Sequence, residues 1–517
     1  MANRSDLPYS EKEVRRYIMG PKTSFALKCV VIVNILGIAC FGCYLFRSYY
    51  SSTKQEVTNL PPSLQIPIPG LIQANETLDY HTFFEEYLVD STDESIFTGE
   101  DNDFRSYIRP HVRLSQVLPL ESSHVMGKLK AFLKCNNQDF KSKIVFRNNY
   151  YVLKNYYRAA HGEIECYTAV TYATHGDYTN LENLRELVNR WDGPISVALY
   201  APGKDFQRTL NSIKYVLNCL PESPLIRLFV TFHIYIPVDH IPGFVRYNTR
   251  YVSPGPGYIN CASRPPYKTN SEQYRVQKKI LYPINVGRNI ARDGALTHFI
   301  LDADIDMYPS AGLNKKFLEM VAADKSILQM KLPKVFALPV FEVAPQVTLP
   351  RNKTDLQELV KGGKAHFISK GPYAKCNSFM NADKWLNGNE TGDISVFHVA
   401  KRMGPHKHWE PFFIGTQDEP EYNERFSREG ELDRTALAYT LCVLDYDFLL
   451  LDNAFLVHQI PAAKMNQSNL SDFSVMEKTQ KYLLQVLYPQ LKEVYGFQKG
   501  CSILHSRTDI PVNNATM

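Results

Sequence analysis

Three carboxylates at alternate positions follow a short apolar run near the middle of the chain. Residues 299–301 are typical of a buried strand, and Asp302, Asp304 and Asp306 come directly after them. Because side chains two positions apart on a strand point to the same side, we expect these acids to converge. Neighbouring carboxylates repel each other unless a cation lies between them, and oxygen ligands favour a hard ion such as Mg2+ or Mn2+. An Asp-x-Asp pair alone is more typical of a solvated acidic loop, so the surrounding segments decide between the two interpretations.

Strands and helices alternate from Cys166 into this acidic segment. Alternation of this kind predicts a parallel α/β sheet, in which ligands gather at the carboxyl ends of the strands. The loops at 174–176 and 201–204 follow two of the predicted strands, so we expect them at the same edge as the acids. A β-hairpin is predicted earlier, from 144–146 and 150–153. The predicted strands are 168–173, 195–200, 228–236 and 299–301, and the predicted helices are 181–191, 206–220, 276–295 and, near the C-terminus, 476–495.

Two arginines and one histidine could complete a site around the acids. Arg288 and Arg292 lie one turn apart on the helix predicted before the acids, where guanidinium groups could bind a diphosphate or a sugar carboxylate. The alternative is a salt-bridged helix surface that involves Asp293. His458 ends a later apolar run, and a neutral imidazole there could complete the coordination of a metal. A histidine at a strand end is more often structural, so its role depends on what lies beside it.

Composition and charge narrow the class of protein. The chain has 517 residues, of which 44% are hydrophobic and 21% charged, and this suits one large globular domain or two moderate ones. Its formal net charge is +5, and no basic run is long enough to form a phosphate-binding stripe. We therefore expect no nucleic acid partner.

The N-terminal part predicts a membrane protein of type II topology. Residues 29–46 are uncharged and apolar, close to the minimum length that spans a bilayer, and the basic excess before them keeps the N-terminus cytosolic. A cleaved signal peptide is the alternative, but no small-x-small cleavage site follows the apolar run. The short span suits a thinner membrane of the secretory pathway better than the plasma membrane. The predicted organisation is a cytoplasmic tail (1–28), a transmembrane signal-anchor (29–46), a proline-rich stem (47–110), the N-terminal part of a lumenal body (111–165), a catalytic domain (166–460) and a C-terminal helix and tail (461–517).

Cysteines and glycosylation sequons fit a lumenal body. Three of the ten cysteines lie within 29–46 and seven follow it, and no two of those seven have the close spacing of a zinc site or a redox motif. In an oxidising compartment up to three disulfides can form with one thiol left over, and the pairing stays open. A sequon at Asn3 is cytosolic on this topology. The sequons on the predicted lumenal side are Asn75, Asn352, Asn389, Asn466, Asn469 and Asn514.

A series of short motifs, in a fixed order from about 166 to 458, resembles glycosyltransferase family 49. Their number and order make the resemblance specific for the family and less specific for the sugar. The motifs are Ala-Thr-His (173–175), Trp-Asp-Gly-Pro-Ile-Ser-Val (191–197), Leu-Tyr-Pro-Ile-Asn-Val-Gly-Arg-Asn-Ile-Ala-Arg (281–292), Asp-Ile-Asp-Met-Tyr-Pro-Ser (304–310), Trp-Glu-Pro-Phe (409–412), Glu-Arg-Phe (424–426) and Phe-Leu-Val-His (455–458).

The resemblance implies a Rossmann-like GT-A fold and a Golgi enzyme. It implies Mn2+ as cofactor, UDP-glucuronate as donor, and inverting transfer of glucuronic acid to the 4-hydroxyl of a β-xylose on a dystroglycan-type O-mannosyl glycan of a glycoprotein. Carried over by position, the metal-binding residues of the family fall on Asp304, Asp306 and His458. The remaining acid of the strand end is then a candidate for the ribose. We assign donor binding to Thr174, His175, Arg288, Asn289, Arg292 and Asp302.

The acceptor side departs from the family pattern. An inverting transfer needs a carboxylate base, and the candidates are Glu410 and then Glu424. Where the family is expected to have an acid before the Arg-Phe pair, this chain has Asn423, and the following motif is altered at 430–434. Two alternatives therefore stay open: a family member that uses another UDP-sugar or acceptor, and a catalytically weak membrane-anchored partner in a complex with another Golgi glycosyltransferase.

Overall fold

The computed structural model describes residues 123–243, 259–269, 271–367, 379–427, 432–459 and 473–503. The predicted anchor at 29–46 and the stem lie outside these ranges, as do Cys376, four of the six lumenal sequons (Asn75, Asn466, Asn469 and Asn514) and the first two residues of the altered motif at 430–434. In the part of the chain that is described, no helix is long and apolar enough to cross a membrane.

A large mixed sheet forms the centre of the fold, in the strand order β1-β2-β5-β4-β3-β6-β12-β8-β13-β11. The four strands β5, β4, β3 and β6 are parallel neighbours, which confirms the predicted α/β core. Antiparallel pairs flank them, and the predicted hairpin is confirmed as β1 and β2 at one edge. The strands of this sheet are β1 (Lys143–Arg147), β2 (Tyr150–Tyr157), β3 (Val170–Gly176), β4 (Ile195–Tyr200), β5 (Val230–Pro237), β6 (Phe299–Asp302), β8 (Lys334–Leu338), β11 (Ser395–Ala400), β12 (Phe412–Gly415) and β13 (Asp447–Asp452).

A second, four-stranded sheet has the order β10-β9-β14-β7. Its strand β14 pairs antiparallel with β7 and parallel with β9. Since β7 begins directly after the acidic segment and β14 contains His458, this sheet brings two distant parts of the sequence together. Its strands are β7 (Met307–Pro309), β9 (Val340–Val343), β10 (Ala365–Phe367) and β14 (Leu456–Gln459).

Helices cover the large sheet and bury apolar faces against it. In α2, for example, Leu184, Leu187, Val188 and Trp191 are all buried, at the spacing of one helical face. The helices are α1 (Ser123–Leu133), α2 (Leu184–Trp191), α3 (Asp205–Asn218), α4 (Ser223–Phe229), α5 (Tyr274–Gln277), α6 (Ile284–Asp293), α7 (Leu313–Ala323), α8 (Lys353–Lys361), α9 (Ala382–Asn387), α10 (Thr435–Val443), α11 (Phe473–Tyr482) and α12 (Tyr488–Tyr495).

Four predicted element bounds were wrong in part. The strand predicted over 168–173 runs from Val170 to Gly176, so the loop predicted at 174–176 is the end of this strand. The helix predicted over 276–295 is two helices, because Pro283 lacks an N–H and disfavours helix in the residue before it, so α6 can begin only after it. The strand predicted from 228 begins at Val230, since α4 with Pro224 in its first turn occupies the preceding residues. The start of the helix predicted over 181–191 is a 3-10 turn capped by Asp177.

The C-terminal helix predicted over 476–495 is confirmed as α11, a π-helical turn (Leu483–Leu487) and α12. Leu483 and Leu487 pack with Tyr439 of α10 in a separate apolar cluster. A disulfide between Cys442 and Cys501 joins α10 to the chain after α12. Two more disulfides, Cys135–Cys166 and Cys219–Cys261, complete the three that the cysteine count allows.

Candidate functional site

The acidic segment lies at the carboxyl edge of the parallel strands, as predicted. Strand β6 ends at Asp302, and the neighbouring strand β3 ends beside it with Thr174, His175 and Gly176. The side chains of Asp304 and Asp306 remain 29% and 32% exposed. A carboxyl edge with partly exposed acids is a place where a ligand can reach them.

Asp304 is held by two donors on the same oxygen. Its Oδ1 accepts hydrogen bonds from Arg288 Nη2 at 3.0 Å and from His175 Nε2 at 3.2 Å. Burial alone would raise the pKa of this carboxyl, but the charge of Arg288 and the hydrogen bond from His175 outweigh it and hold the pKa well below its usual range. Asp304 is therefore ionised at neutral pH.

Asp306 and His458 approach each other across the small sheet. His458 Nε2 lies 3.6 Å from Asp306 Oδ2. Burial alone would lower the pKa of the imidazole, but the nearby carboxylates of Asp306 and Glu342 raise it. The predicted metal acid and metal histidine are thus neighbours in the fold.

Strand register adds an acid that the motifs did not indicate. Glu342 of β9 is the cross-strand partner of His458 in β14 and of His366 in β10. Partners in register point to the same face of a sheet, so Glu342 lies beside the predicted metal histidine. The only signal in the sequence was a charged residue inside the short apolar strand 340–343.

The residues present suit a divalent cation in their chemistry. Two carboxylates and one imidazole are a donor set that Mn2+ accepts, and all three side chains are partly exposed. Within the ranges that the structure covers, no group of three His, Cys, Asp or Glu side chains has the geometry to hold a metal ion as it stands. Metal binding by Asp304, Asp306 and His458 stays a prediction.

The polar face of α6 binds the chain segment that follows β12. Asn285 Nδ2 donates to the carbonyls of Asn423 and Asp433, at 2.8 Å each. Asn289 exchanges two hydrogen bonds with the backbone of Tyr422. Arg292 donates to the carbonyls of Glu419 and Pro420, and Arg288 pairs with the Asp433 carboxylate. The helix that we predicted to bind the donor therefore also positions this segment, and donor contacts by Arg288, Asn289 and Arg292 stay a prediction.

Asp302 points into the protein, unlike the two acids that follow it. It is buried, and neither of its oxygens makes a well-formed hydrogen bond with the described residues. Burial raises the pKa of its carboxyl, opposed by Arg288, Arg292 and the nearby Tyr422 hydroxyl. The guanidinium groups of both arginines lie over the Tyr422 ring, at 5.2 and 5.7 Å from its centre. Thr174 is buried too, and its hydroxyl has no hydrogen-bond partner among the described residues.

Both candidate bases are engaged by protein groups. Glu410 is buried and accepts a hydrogen bond from the Thr435 hydroxyl at 2.6 Å, and burial raises its pKa. Glu424 accepts hydrogen bonds from Arg147, Asn148 and Asn289. A base role for either residue stays a prediction.

Two of the predicted glycosylation sequons fall in described segments. Asn352 is the N-cap of α8, and its side chain accepts a hydrogen bond from the Asp355 N–H. Asn389 is exposed in the loop after α9. The Glu390 carboxylate within the second sequon accepts a hydrogen bond from the Thr354 hydroxyl of the first, so the two sequons touch.

Comparison with known proteins assigns the family. Residues 169–496 match the family model described as "Glycosyl-transferase for dystroglycan". The chain is 30% identical to zebrafish (Danio rerio) beta-1,4-glucuronyltransferase 1 over 293 residues, which is 56% of this chain and 65% of that enzyme. It is 24% identical to human xylosyl- and glucuronyltransferase LARGE1 over 334 residues, 64% of this chain and 36% of LARGE1. The matched region thus spans less than two thirds of the length of either relative.

A solved structure, that of S. aureus TarS in complex with UDP, aligns with 63% of this chain and 74% of TarS at a TM-score of 0.24 and 10% identity. That likeness is too low to argue from. The family match is much stronger evidence. It covers both sheets from β3 onward, the acidic strand end, His458 and the helices up to α12. The chain therefore belongs to the family of glycosyltransferases for dystroglycan.

Proposed function

We propose that this chain is a Mn2+-dependent inverting glycosyltransferase with a GT-A fold, which transfers glucuronic acid from UDP-glucuronate to a β-xylose-terminated glycan of the dystroglycan type. The observation that carries the proposal is the position of Asp304 and Asp306 directly after β6, at the carboxyl edge of the parallel strands, with His458 Nε2 3.6 Å from Asp306 Oδ2. The relatives named beta-1,4-glucuronyltransferase 1 support glucuronic acid as the sugar.

The reaction exchanges one bond for another at the anomeric carbon. The 4-hydroxyl oxygen of the acceptor xylose attacks C1 of the glucuronyl group, the bond from C1 to the phosphate oxygen breaks, and UDP leaves with the electron pair. The hydroxyl proton passes to a carboxylate on the acceptor side. A bound Mn2+ would supply charge stabilisation to the departing diphosphate.

The residues of the chain have separable roles in this proposal. Asp304, Asp306 and His458 hold the metal, and Arg288 adds a positive charge beside them that suits a diphosphate or the donor's carboxylate. Asp302 and Thr174 have buried polar atoms next to this edge that make no well-formed hydrogen bond with the described residues, and they are candidates for donor contacts. Glu410 is the first candidate for the base and Glu424 the second.

The proposed setting is the Golgi lumen. Residues 29–46 would anchor the chain as a single-pass type II protein, and the lumenal sequons would carry N-glycans. The pairing of six cysteines supports an oxidising compartment, in which structural disulfides persist.

The test is a donor and acceptor screen on the full-length protein in detergent. We expect transfer from UDP-glucuronate to a β-xyloside with Mn2+ and little with other UDP-sugars. Asp306→Asn and His458→Ala should remove this activity, while Asp383→Asn, a change of an exposed acid on α9, should keep it. Full activity of both site variants would overturn the metal assignment, and preference for another UDP-sugar would overturn the donor assignment.

A second candidate function is that of a catalytically weak partner of another glycosyltransferase. The observation that favours it is on the acceptor side, where position 423 is an amide and both Glu410 and Glu424 are bound by protein groups. Thermal shift with Mn2+ and UDP separates the candidates: a weak partner is stabilised by the ligands but does not turn over, whereas the enzyme does both.

A further inference from the structure

His175 has two partners, one on each ring nitrogen. The residue is the last but one of β3 and is only 3% exposed. Its Nε2 lies 3.2 Å from Asp304 Oδ1, and its Nδ1 lies 2.9 Å from the Tyr282 hydroxyl. Helix α6 packs directly against this residue, since a Cβ added to Gly287 would lie 2.9 Å from the His175 Cβ. The imidazole is therefore enclosed by protein and turned toward one of the predicted metal acids.

The chemistry of Asp304 and Tyr282 indicates which ring nitrogen of His175 carries the hydrogen. An ionised carboxylate can only accept, so the Nε2 of His175 must carry the hydrogen and donate to Asp304. In a neutral ring the other nitrogen then accepts, and the Tyr282 hydroxyl is its donor. One arrangement of protons thus satisfies Tyr282, His175 and Asp304 together.

Both donors to Asp304 meet the same oxygen. Oδ1 accepts from His175 and from Arg288, whereas Oδ2 accepts no hydrogen bond from the described residues. When hydrogen bonds hold one oxygen of a carboxylate, the other oxygen keeps a fixed direction. The side chain is also 29% exposed, so a ligand can reach this carboxylate.

We infer that His175 is a positioning residue, which holds the Asp304 carboxylate so that Oδ2 faces a divalent cation, while Tyr282 sets its tautomer. The inference rests on the proposed metal-dependent function. It gives His175 a role through Asp304 and not in contact with the donor sugar nucleotide. Partners that orient a metal ligand in this way typically change metal affinity about 10- to 100-fold when they are lost.

Two substitutions separate this role from a structural one. The side-chain amide of glutamine places a donor near the position of Nε2, and that of asparagine places an acceptor near the position of Nδ1. His175→Gln therefore keeps the bond to Asp304, and His175→Asn keeps only the bond to Tyr282. His175→Ala keeps neither. The matched control is His240→Ala, because His240 also contacts a tyrosine hydroxyl, that of Tyr274 at 3.3 Å, and its ring pairs with no carboxylate among the described residues.

The experiment measures Mn2+ affinity of the full-length protein in detergent with saturating UDP, from the electron paramagnetic resonance signal of free Mn2+, and the melting temperature of each variant. We expect His175→Ala and His175→Asn to weaken Mn2+ binding at least about tenfold. His175→Gln should stay within about threefold of the unchanged protein, and His240→Ala should match it.

Other outcomes are distinguishable. Equal affinity in all three His175 variants would overturn the inference and leave the proposed function standing. If His175→Asn binds Mn2+ tightly and His175→Gln does not, His175 has a structural role through Tyr282. That result would also overturn the inference. If the unchanged, folded protein binds no Mn2+, the proposed metal dependence fails, and the inference fails with it.

Discussion

His458 Nε2 lies 3.6 Å from Asp306 Oδ2, and the two residues reach this position from neighbouring strands, β14 and the start of β7. Without a metal, the carboxylate favours the protonated imidazole and raises its pKa above the ordinary value of 6.5, against the opposing effect of burial. A metal needs the neutral imidazole, so proton and cation compete for the same nitrogen.

The first prediction follows from that competition. Mn2+ affinity should fall as the pH is lowered through the raised pKa of His458, because more imidazole is protonated. The stability of the metal-free protein changes with pH in the opposite direction. The His458–Asp306 ion pair contributes its full stabilisation below about pH 6.5, and this contribution is lost as the pH rises through the pKa of His458 in the folded state. Titration of Mn2+ at several pH values between about 6 and 8 checks this. The pH dependence should disappear in His458→Gln, and its persistence there would contradict the assignment.

The second prediction concerns Arg147, whose guanidinium contacts three carboxylates, those of Asp293, Glu421 and Glu424. Arg147→Ala should lower the free energy of unfolding by about 2 kcal/mol, because Glu424 is mostly buried and loses its cation. Arg185→Ala is the control, since Arg185 is more exposed and pairs with a single carboxylate, that of Glu222; it should cost less than about 1 kcal/mol. Calorimetric melting of both variants tests this. Equal losses of unfolding free energy would show that the three carboxylate contacts of Arg147 stabilise the protein no more than the single exposed pair of Arg185.

The third prediction concerns Lys353, which is fully buried. Its Nζ donates to Asp452 Oδ1 at 2.6 Å and lies 4.6 Å from the centre of the Trp385 ring. Lys353→Ala should destabilise the protein by about 3 kcal/mol, because it empties a packed position and leaves Asp452 without its cation. Lys315→Ala, in an exposed pair with Glu319 at 3.9 Å, should change stability by less than about 0.5 kcal/mol. Urea unfolding of both variants tests this, and the idea fails if they unfold at the same concentration.

The fourth prediction compares two helical glycines. A Cβ at Gly287 of α6 would lie 2.7 Å from the Tyr235 hydroxyl and 2.9 Å from the His175 Cβ. Gly287→Ala should therefore destabilise by about 1–2 kcal/mol, since crowding exceeds the gain in helix propensity. It should also weaken Mn2+ binding by displacing His175. Gly127→Ala in α1 meets no atom within 4 Å and should stabilise by up to about 1 kcal/mol. Melting temperatures that move in the same direction would contradict this account.

The elements that the sequence predicted well depend on local patterns. Period-two and period-3.6 apolar spacing predicted β4, the hairpin, α2 and α3 within a few residues. The break at Pro283 was missed although the proline was visible, because the amphipathic pattern continued across it. The alternation rule also predicted that Asp302 would point with Asp304 and Asp306. The strand ends at Asp302, however, and the rule applies only while the chain remains a strand.

Local sequence patterns could not predict contacts between segments that lie far apart in the sequence. The motif order suggested that His458 joins Asp306, but the partners of Glu424 come from the hairpin turn, far away in the sequence. Glu342 reached the site through strand register, which follows from how the small sheet assembles. Likewise, the hydrogen bonds of His175 depend on where Pro283 lets α6 begin, since that sets Gly287 and Tyr282 against β3.

The way α6 binds the segment after β12 also bears on how this family can diversify. Asn285, Asn289 and Arg292 bond mainly to main-chain carbonyls of Pro420, Tyr422, Asn423 and their neighbours, which every amino acid offers alike. Side chains in that segment can therefore be exchanged during evolution without losing their anchorage on the helix. The amide at position 423 is such a change, because Asn285 holds this residue by its main-chain carbonyl.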